Sequence, residues 1–160
     1  MTGKPQLDVI DREHCMRLLA RHPLGRILYT NGALPAIQPV NYALDGNSIV
    51  VRTESESKLA AAGRGQVVAF EIDDIDTDHG SGWSVVVTGR ATTIASEHEL
   101  ARAQELPIPA WFVPDQPHFI RIQCELVTGR RLRRARRTAS GHGEDRTSLA
   151  GTETADEQTG

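Results

Sequence analysis

Between residues 24 and 129 the chain is a series of short runs in which apolar and polar side chains alternate, the period of strands that bury one face. LGRILYT (24–30) is the first, closed by the hairpin dipeptide Asn31-Gly32. PAIQPVNYAL (35–44) and SIVVRT (48–53) follow, joined by Asp45-Gly46-Asn47, a strong hairpin signal. QVVAFEI (66–72), WSVVVTGRATTI (83–94) and HFIRIQCELV (118–127) complete a set of six. Pro35 and Pro39 remove two N–H donors from the second run, which marks it as an edge or bulged strand. Gly89, inside the longest run, marks a bulge or a close backbone approach.

Helices are few and short. Residues 1–8 read as a loose arm, and Asp11 can cap a helix over 12–21 that places Cys15, Leu18 and Leu19 on one face. His22-Pro23 ends it. Leu59-Ala60-Ala61-Ala62 is a short helix stopped by Gly63, and Ser96 with Glu99 opens another in capping-box fashion, running to about Glu105. Residues 106–117 hold four prolines together with Trp111 and Phe112, so they are irregular and must lie against something apolar. Asp73, Asp74, Asp76 and Asp78 read as a solvated acidic loop, because the glycine and glutamate of a calcium loop are missing. Six strands with short hairpins and few helices predict a mainly β fold, a six-stranded antiparallel barrel with peripheral helices at its ends.

Composition adds a boundary. From Gly129 the character changes: Arg130, Arg131, Arg133, Arg134, Arg136 and Arg137 fall within eight residues, and residues 138–160 are Gly/Ser/Thr/Glu-rich without periodicity. The expectation is one domain over 1–132 and a disordered Arg-rich, then acidic, tail over 133–160. Clustered guanidinium groups bind nucleic-acid phosphates, but the acids at Glu144, Asp145, Glu153, Asp156 and Glu157 favour a charge-balanced solubilising tail. The net charge of −3 names no partner. Cys15 and Cys124 are far apart and fit small buried hydrophobes of a reduced protein. No apolar run approaches the ~18 residues of a membrane span, and the charged N-terminus lacks a signal-peptide pattern, so a cytoplasmic location is expected. The six histidines (14, 22, 79, 98, 118 and 142) share no ligand spacing, and no metal site is expected. His118 reads as a half-buried histidine bonded to backbone, and no nucleophile elbow appears.

The densest candidate chemistry is the passage out of the third strand. Arg52, Thr53, Ser55, Ser57 and Lys58 bring a guanidinium, hydroxyls and an ammonium together with the start of a helix, a set suited to holding a phosphate. A solvated strand-to-helix loop with an ordinary N-cap serine is the alternative on spacing alone.

Taken in order, LGRILYTNGALPAIQPVNYALDGNSIVVRT, SKLAAAGRGQVVAFEIDD, GWSVVVTGRAT and HFIRIQCELVTGR resemble the pyridoxamine 5′-phosphate oxidase-like family, the flavin-binding split β-barrels, in the actinobacterial branch related to nitroimidazole-resistance proteins. The likeness covers about residues 9–132. It implies a six-stranded antiparallel split β-barrel of the FMN-binding type, a homodimer with FMN at the subunit interface, and an oxidoreductase moving hydride or electrons between the flavin and a small-molecule substrate. By position, Pro39, Val40 and Asn41 would run beside the isoalloxazine ring through their backbone. Arg52 and Thr53 would flank the ribityl phosphate, Ser57 and Lys58 would bind it, and Trp83, Ser84 and Val85 would add contacts from a later strand. Trp111 and Phe112 would cover the partner's flavin pocket or plug the barrel end. The flavin carries the chemistry, so no catalytic side chain is nominated. Two departures matter. Related chains place glycine just before the Ser/Arg-Lys pair, whereas the order here is Glu54-Ser55-Glu56-Ser57-Lys58, and two carboxylates weaken an anion site unless they point outward. The C-terminal Arg-x-His pattern of true pyridoxamine phosphate oxidases is missing, so vitamin-B6 activity is not implied. The same barrel holding a deazaflavin coenzyme or haem, or a non-catalytic dimer with a degenerate slot, are the alternatives.

Overall fold

The computed structural model describes residues 6–133, apart from 55, 56 and 112; the backbone but not the side chain is described at 58 and 61. Its elements are β1 (Gln6–Ile10), α1 (Arg12–Arg21), β2 (Leu24–Asn31), β3 (Leu34–Asp45), β4 (Ser48–Glu54), α2 (Lys58–Ala62), β5 (Arg64–Asp76), β6 (Ser81–Thr93), α3 (Glu97–Glu105), β7 (Pro117–Gln123) and β8 (Leu126–Arg133). The order β6-β5-β2-β3-β4-β7 closes on itself because β7 also pairs with β6, giving an antiparallel six-stranded barrel. Closure gives every strand of the barrel a neighbour on each side, though not over its whole length. β8 and then β1 continue the sheet outside the barrel, from the first half of β6.

β6 therefore changes neighbour along its length. Gly82 to Thr88 pair with β8, and Ala91 to Thr93 pair with β7. Gly89 lies at the switch, where a Cβ would overlap the Gln123 carbonyl oxygen. It is the close-approach point expected from the sequence. Next to it, the Arg90 N–H donates to the Glu125 carboxylate at 3.1 Å.

Four expectations need correction. The arm over residues 1–8 contains a strand, β1, because Leu7 to Ile10 pair with Gly129 to Leu132; residues 1–5 lie outside the described set. The last run is two strands, broken at Cys124-Glu125, where the Cys124 N–H leaves the ladder and donates to the Asn47 carbonyl at 3.1 Å. β8 then takes up Arg130, Arg131 and Arg133, so half of the arginine run is sheet; the expected tail beyond it lies outside the described residues. The acidic loop shrinks to a turn, since Asp73, Asp74 and Asp76 pair with Ser84, Trp83 and Ser81.

Inward residues fill the barrel: Ile27, Tyr42, Val51, Phe70, Val85 and Ile120 are all at most 2% exposed. α1 covers one end with Cys15 and Leu19, and α2 covers the other with Leu59 and Ala62. The Tyr42 hydroxyl donates to the Leu19 carbonyl at 2.7 Å, and its ring meets Phe70 edge-on at 4.7 Å. Burial pushes that phenol well above its ordinary pKa, and both cysteine thiols are raised for the same reason.

A second, smaller cluster lies on the barrel's outer face. Ala43, Val50 and Phe119 of the sheet meet Ile94, Ala103 of α3 and Ile108 of the proline-rich segment. Asp45 ties this layer down: it accepts from Arg121 at 2.8 Å and Arg102 at 2.7 Å, while Arg121 also donates to Ser48. Arg121 first, then Arg102, holds the Asp45 carboxyl below its ordinary pKa against the opposing effect of burial. A depressed folded-state pKa stabilises above the unfolded value near 3.9 and loses that contribution as pH falls through the folded value. Replacing Asp45 with Asn is expected to lower stability at pH 7 by about 2 kcal/mol. In urea titrations the gap from the native chain should narrow as the pH is lowered below about 4, and a gap unchanged by pH would remove the ion pair as its cause.

Candidate functional site

β3 is twelve residues long and changes partner along its length. Leu34 to Asn41 pair with β2 alone, whereas Tyr42 to Asp45 pair with β4. Beyond Val51, β4 continues as Arg52, Thr53 and Glu54 against β7. The two strands therefore part, and a cleft opens between the free edge of β3 and the end of β4. Pro35 and Pro39 fall in the half of β3 that lacks a second partner, which is how the edge reading of the sequence is realised.

This cleft holds about 220 Å³ and is lined by Gln38, Pro39, Val40 and Asn41 on one side. Arg52, Thr53, Glu54 and Ser57 line the other, with Ile108 and Pro109 across the top. Val40 is 7% exposed, so its side chain belongs to the core and it meets the cleft through its backbone. Asn41 is anchored by a 2.9 Å bond from Nδ2 to the Pro23 carbonyl.

The polar end is built around Ser57. Its hydroxyl accepts from the Ala60 N–H at 3.0 Å, capping α2, and shares a 3.0 Å hydrogen bond with the Thr53 hydroxyl. A hydroxyl has one donor and two acceptor lone pairs. If Thr53 donates to Ser57, both lone pairs of Ser57 are used and its own O–H is left for an oxyanion in the cleft. The helix start itself offers less than the sequence suggested, because α2 is one turn of five residues and Ala60 N–H is already taken. Arg52 is half-buried and donates from Nη2 to the Pro109 carbonyl at 3.1 Å. That bond draws the proline-rich segment over the cleft and leaves further guanidinium N–H groups for a ligand.

Of the nominated residues, the fold brings Pro39, Val40, Asn41, Arg52, Thr53 and Ser57 to one cleft. Lys58 opens α2 directly after Ser57, and its side chain lies outside the described residues. Trp83, Ser84 and Val85 do not line the cleft. Val85 is fully buried in the barrel, Trp83 stands edge-on to His22 at 4.8 Å, and half-buried Ser84 lies between Asp73 and Arg130. His118 Nε2 meets the Thr93 hydroxyl at 3.2 Å rather than a backbone group. Trp111 is 67% exposed and plugs no barrel end; Phe112 is outside the described residues. Gln38, Ile108 and Pro109 were missed. The only signal for the last two was the proline-rich segment's need for an apolar neighbour. A second cavity of about 360 Å³, between the end of α1, Tyr42 and Pro107, adjoins the first across Pro109.

The comparisons with known proteins bear on the family and the fold. Residues 11–131 match the family model described as pyridoxamine 5′-phosphate oxidase. The Mycobacterium tuberculosis protein named Uncharacterized protein Rv0080 is 41% identical over 128 residues, which is 77% of this chain and 84% of that one. The FAD binding protein from Mycobacterium smegmatis superposes with a TM-score of 0.70 at 34% identity, covering 79% of this chain and 98% of its own. A conserved protein of unknown function from Corynebacterium diphtheriae superposes at 0.66 with 27% identity, covering 78% and 96%. With three quarters of its length matched by the family model and its strands closing in the same way, the chain belongs to the pyridoxamine 5′-phosphate oxidase-like family of flavin-binding split β-barrels.

Proposed function

We propose that the chain is a homodimeric flavin-dependent oxidoreductase acting on a small molecule. The observation that carries this reading is the parted edge of β3 facing the Arg52, Thr53 and Ser57 group across one cleft. A flavin nucleotide needs a flat slot with a few backbone hydrogen bonds for its ring and fixed donors for its phosphate. The free edge from Pro39 to Asn41 offers the first. The Ser57 hydroxyl, polarised by Thr53, and the Arg52 guanidinium offer the second. Lys58, next in sequence to Ser57, is retained as a second cation of this reading. FMN is the smallest ligand with both parts, and FAD presents the same ring and ribityl phosphate with a nucleotide beyond. When bound, the flavin supplies hydride or electron transfer; the protein binds it, orients it and keeps water from its ring.

One chain supplies only part of such a slot, since about 220 Å³ is below the roughly 300 Å³ at which small-molecule sites begin. Beside the cleft, Leu24, Leu28, Ile37 and Val67 form an exposed apolar stretch across β2, β3 and β5, each at least 40% exposed. Arg26, in the middle of it, is paired with Glu71 and Asp73, so the stretch carries no unpaired charge there. Apolar patches of this kind mark association surfaces, and a second copy seated here would wall the ring side of the cleft. Ser84 and exposed Trp111 then become the residues that reach the partner's site.

Purified protein, or protein soaked with FMN, should absorb near ~450 nm as oxidised flavin does. Arg52→Ala should weaken flavin binding by about tenfold or more, the worth of a hydrogen bond to a charged group. Unchanged affinity in a fluorescence titration would remove the phosphate assignment. By light scattering the chain should run at twice its 17.5 kDa mass. Replacing Leu28 and Ile37 together with Asp should yield monomers that bind flavin more weakly. A monomer with undiminished affinity would show that the site is complete in one chain.

A further inference from the structure

Glu54 stands at the phosphate end of the cleft and has no part in the binding scheme above. It is the last residue of β4, two positions from Arg52 and therefore on the same face of the strand, and its exposed side chain forms part of the cleft wall. Among the described residues no cation pairs with its carboxylate: the ion pairs of the molecule lie at Asp8, Glu13, Asp45, Glu71, Asp73 and Asp76. The described charges at this end are thus one guanidinium and one carboxylate. A phosphate seated between Ser57 and Arg52 feels both.

The attraction and the repulsion both scale with the charge on the ligand. A phosphomonoester above pH 7 carries close to two negative charges, its second pKa lying near 6. A phosphodiester carries one. Arg52 attracts a second charge as it does the first, and Glu54 repels it likewise, so the carboxylate's own contribution to binding grows with the charge of the ribityl phosphate. We propose that Glu54 is a specificity-determining residue that sorts flavins by the charge of the ribityl phosphate, disfavouring the doubly charged monoester of FMN relative to the singly charged diester of FAD. The second phosphate of FAD is joined to the first through a bridging oxygen, so its charge stands off the seat between Ser57 and Arg52 and is more open to screening. This proposal rests on the flavin reading of the cleft.

The test is a titration of the full chain, wild type and Glu54→Gln, with riboflavin, FMN and FAD at pH 8, in low salt and in 0.5 M salt (about a 4 Å screening length). Glutamine keeps the shape and removes the charge. The substitution is expected to raise FMN affinity about fivefold at low salt, to raise FAD affinity less, and to leave riboflavin unchanged. The gain for FMN should shrink in high salt. Equal changes for the three ligands, or no change in the FMN-to-FAD ratio, would overturn the proposal while leaving the flavin site standing. Failure of all three ligands to bind the wild-type chain would overturn the flavin reading and this inference with it. Unaltered riboflavin binding in the variant shows that the cleft itself is intact.

Discussion

Backbone amides and carbonyls must find partners, and the cleft in this protein opens where one strand exchanges one neighbour for another. β3 pairs with β2 from Leu34 to Asn41 and with β4 from Tyr42 to Asp45, so that beyond Asn41 toward its start its β4-side edge is open. Prolines at 35 and 39 lower the number of N–H groups that this free edge must satisfy, so the strand can remain apart from β4 without a large penalty. The opening also sets the position of everything else at the site. β4, released from β3, carries Arg52 and Thr53 to the far wall, and its end feeds directly into Ser57 and α2.

The rest of the barrel makes that parting rigid. β6 serves β8 in its first half and β7 in its second, with Gly89 permitting the crossover. The strand that closes the barrel, β7, is also the one that braces β4 along its whole length, from Ser48 to Glu54. α3 and Ile108 cover the outer face of the β3–β4 hairpin, and the Asp45, Arg121 and Arg102 group fixes that cover from the other side. The cleft therefore has strands on two sides, β3 and β4, and is completed by Ser57, Ile108 and Pro109 from the segments between elements.

Among the described side chains, the charges at the site are one guanidinium and one carboxylate. Arg52 is partly spent on the Pro109 carbonyl, and Glu54 faces the same space. On the proposed reading, binding relies on directed hydroxyl donors as well as on charge, the setting in which a single carboxylate can discriminate between ligands whose ribityl phosphates differ by one charge.

Much of this was legible in the residues. Alternation marked the barrel strands because each buries one face, and Asp45-Gly46-Asn47 marked the hairpin because only certain residues tolerate its turn. The two prolines marked the edge because they cannot donate, and Arg52, Thr53 and Ser57 stood out because a strand end followed by a capped turn concentrates donors. The sequence by itself thus determined the six strands of the barrel and gathered into one stretch the donors that a phosphate would need. Only the tertiary structure decided what faces them. Cys124-Glu125 breaks the last run because Cys124 bonds to Asn47, far away in the chain, and residues 6–10 become a strand only because β8 is there to receive them. Pro109 enters the site through a hydrogen bond from a residue 57 positions away, and Glu54 turns from a flanking acid into part of the cleft wall. Local pattern records what each segment buries, whereas contacts between distant segments depend on how the barrel closes, and no short window of residues encodes that.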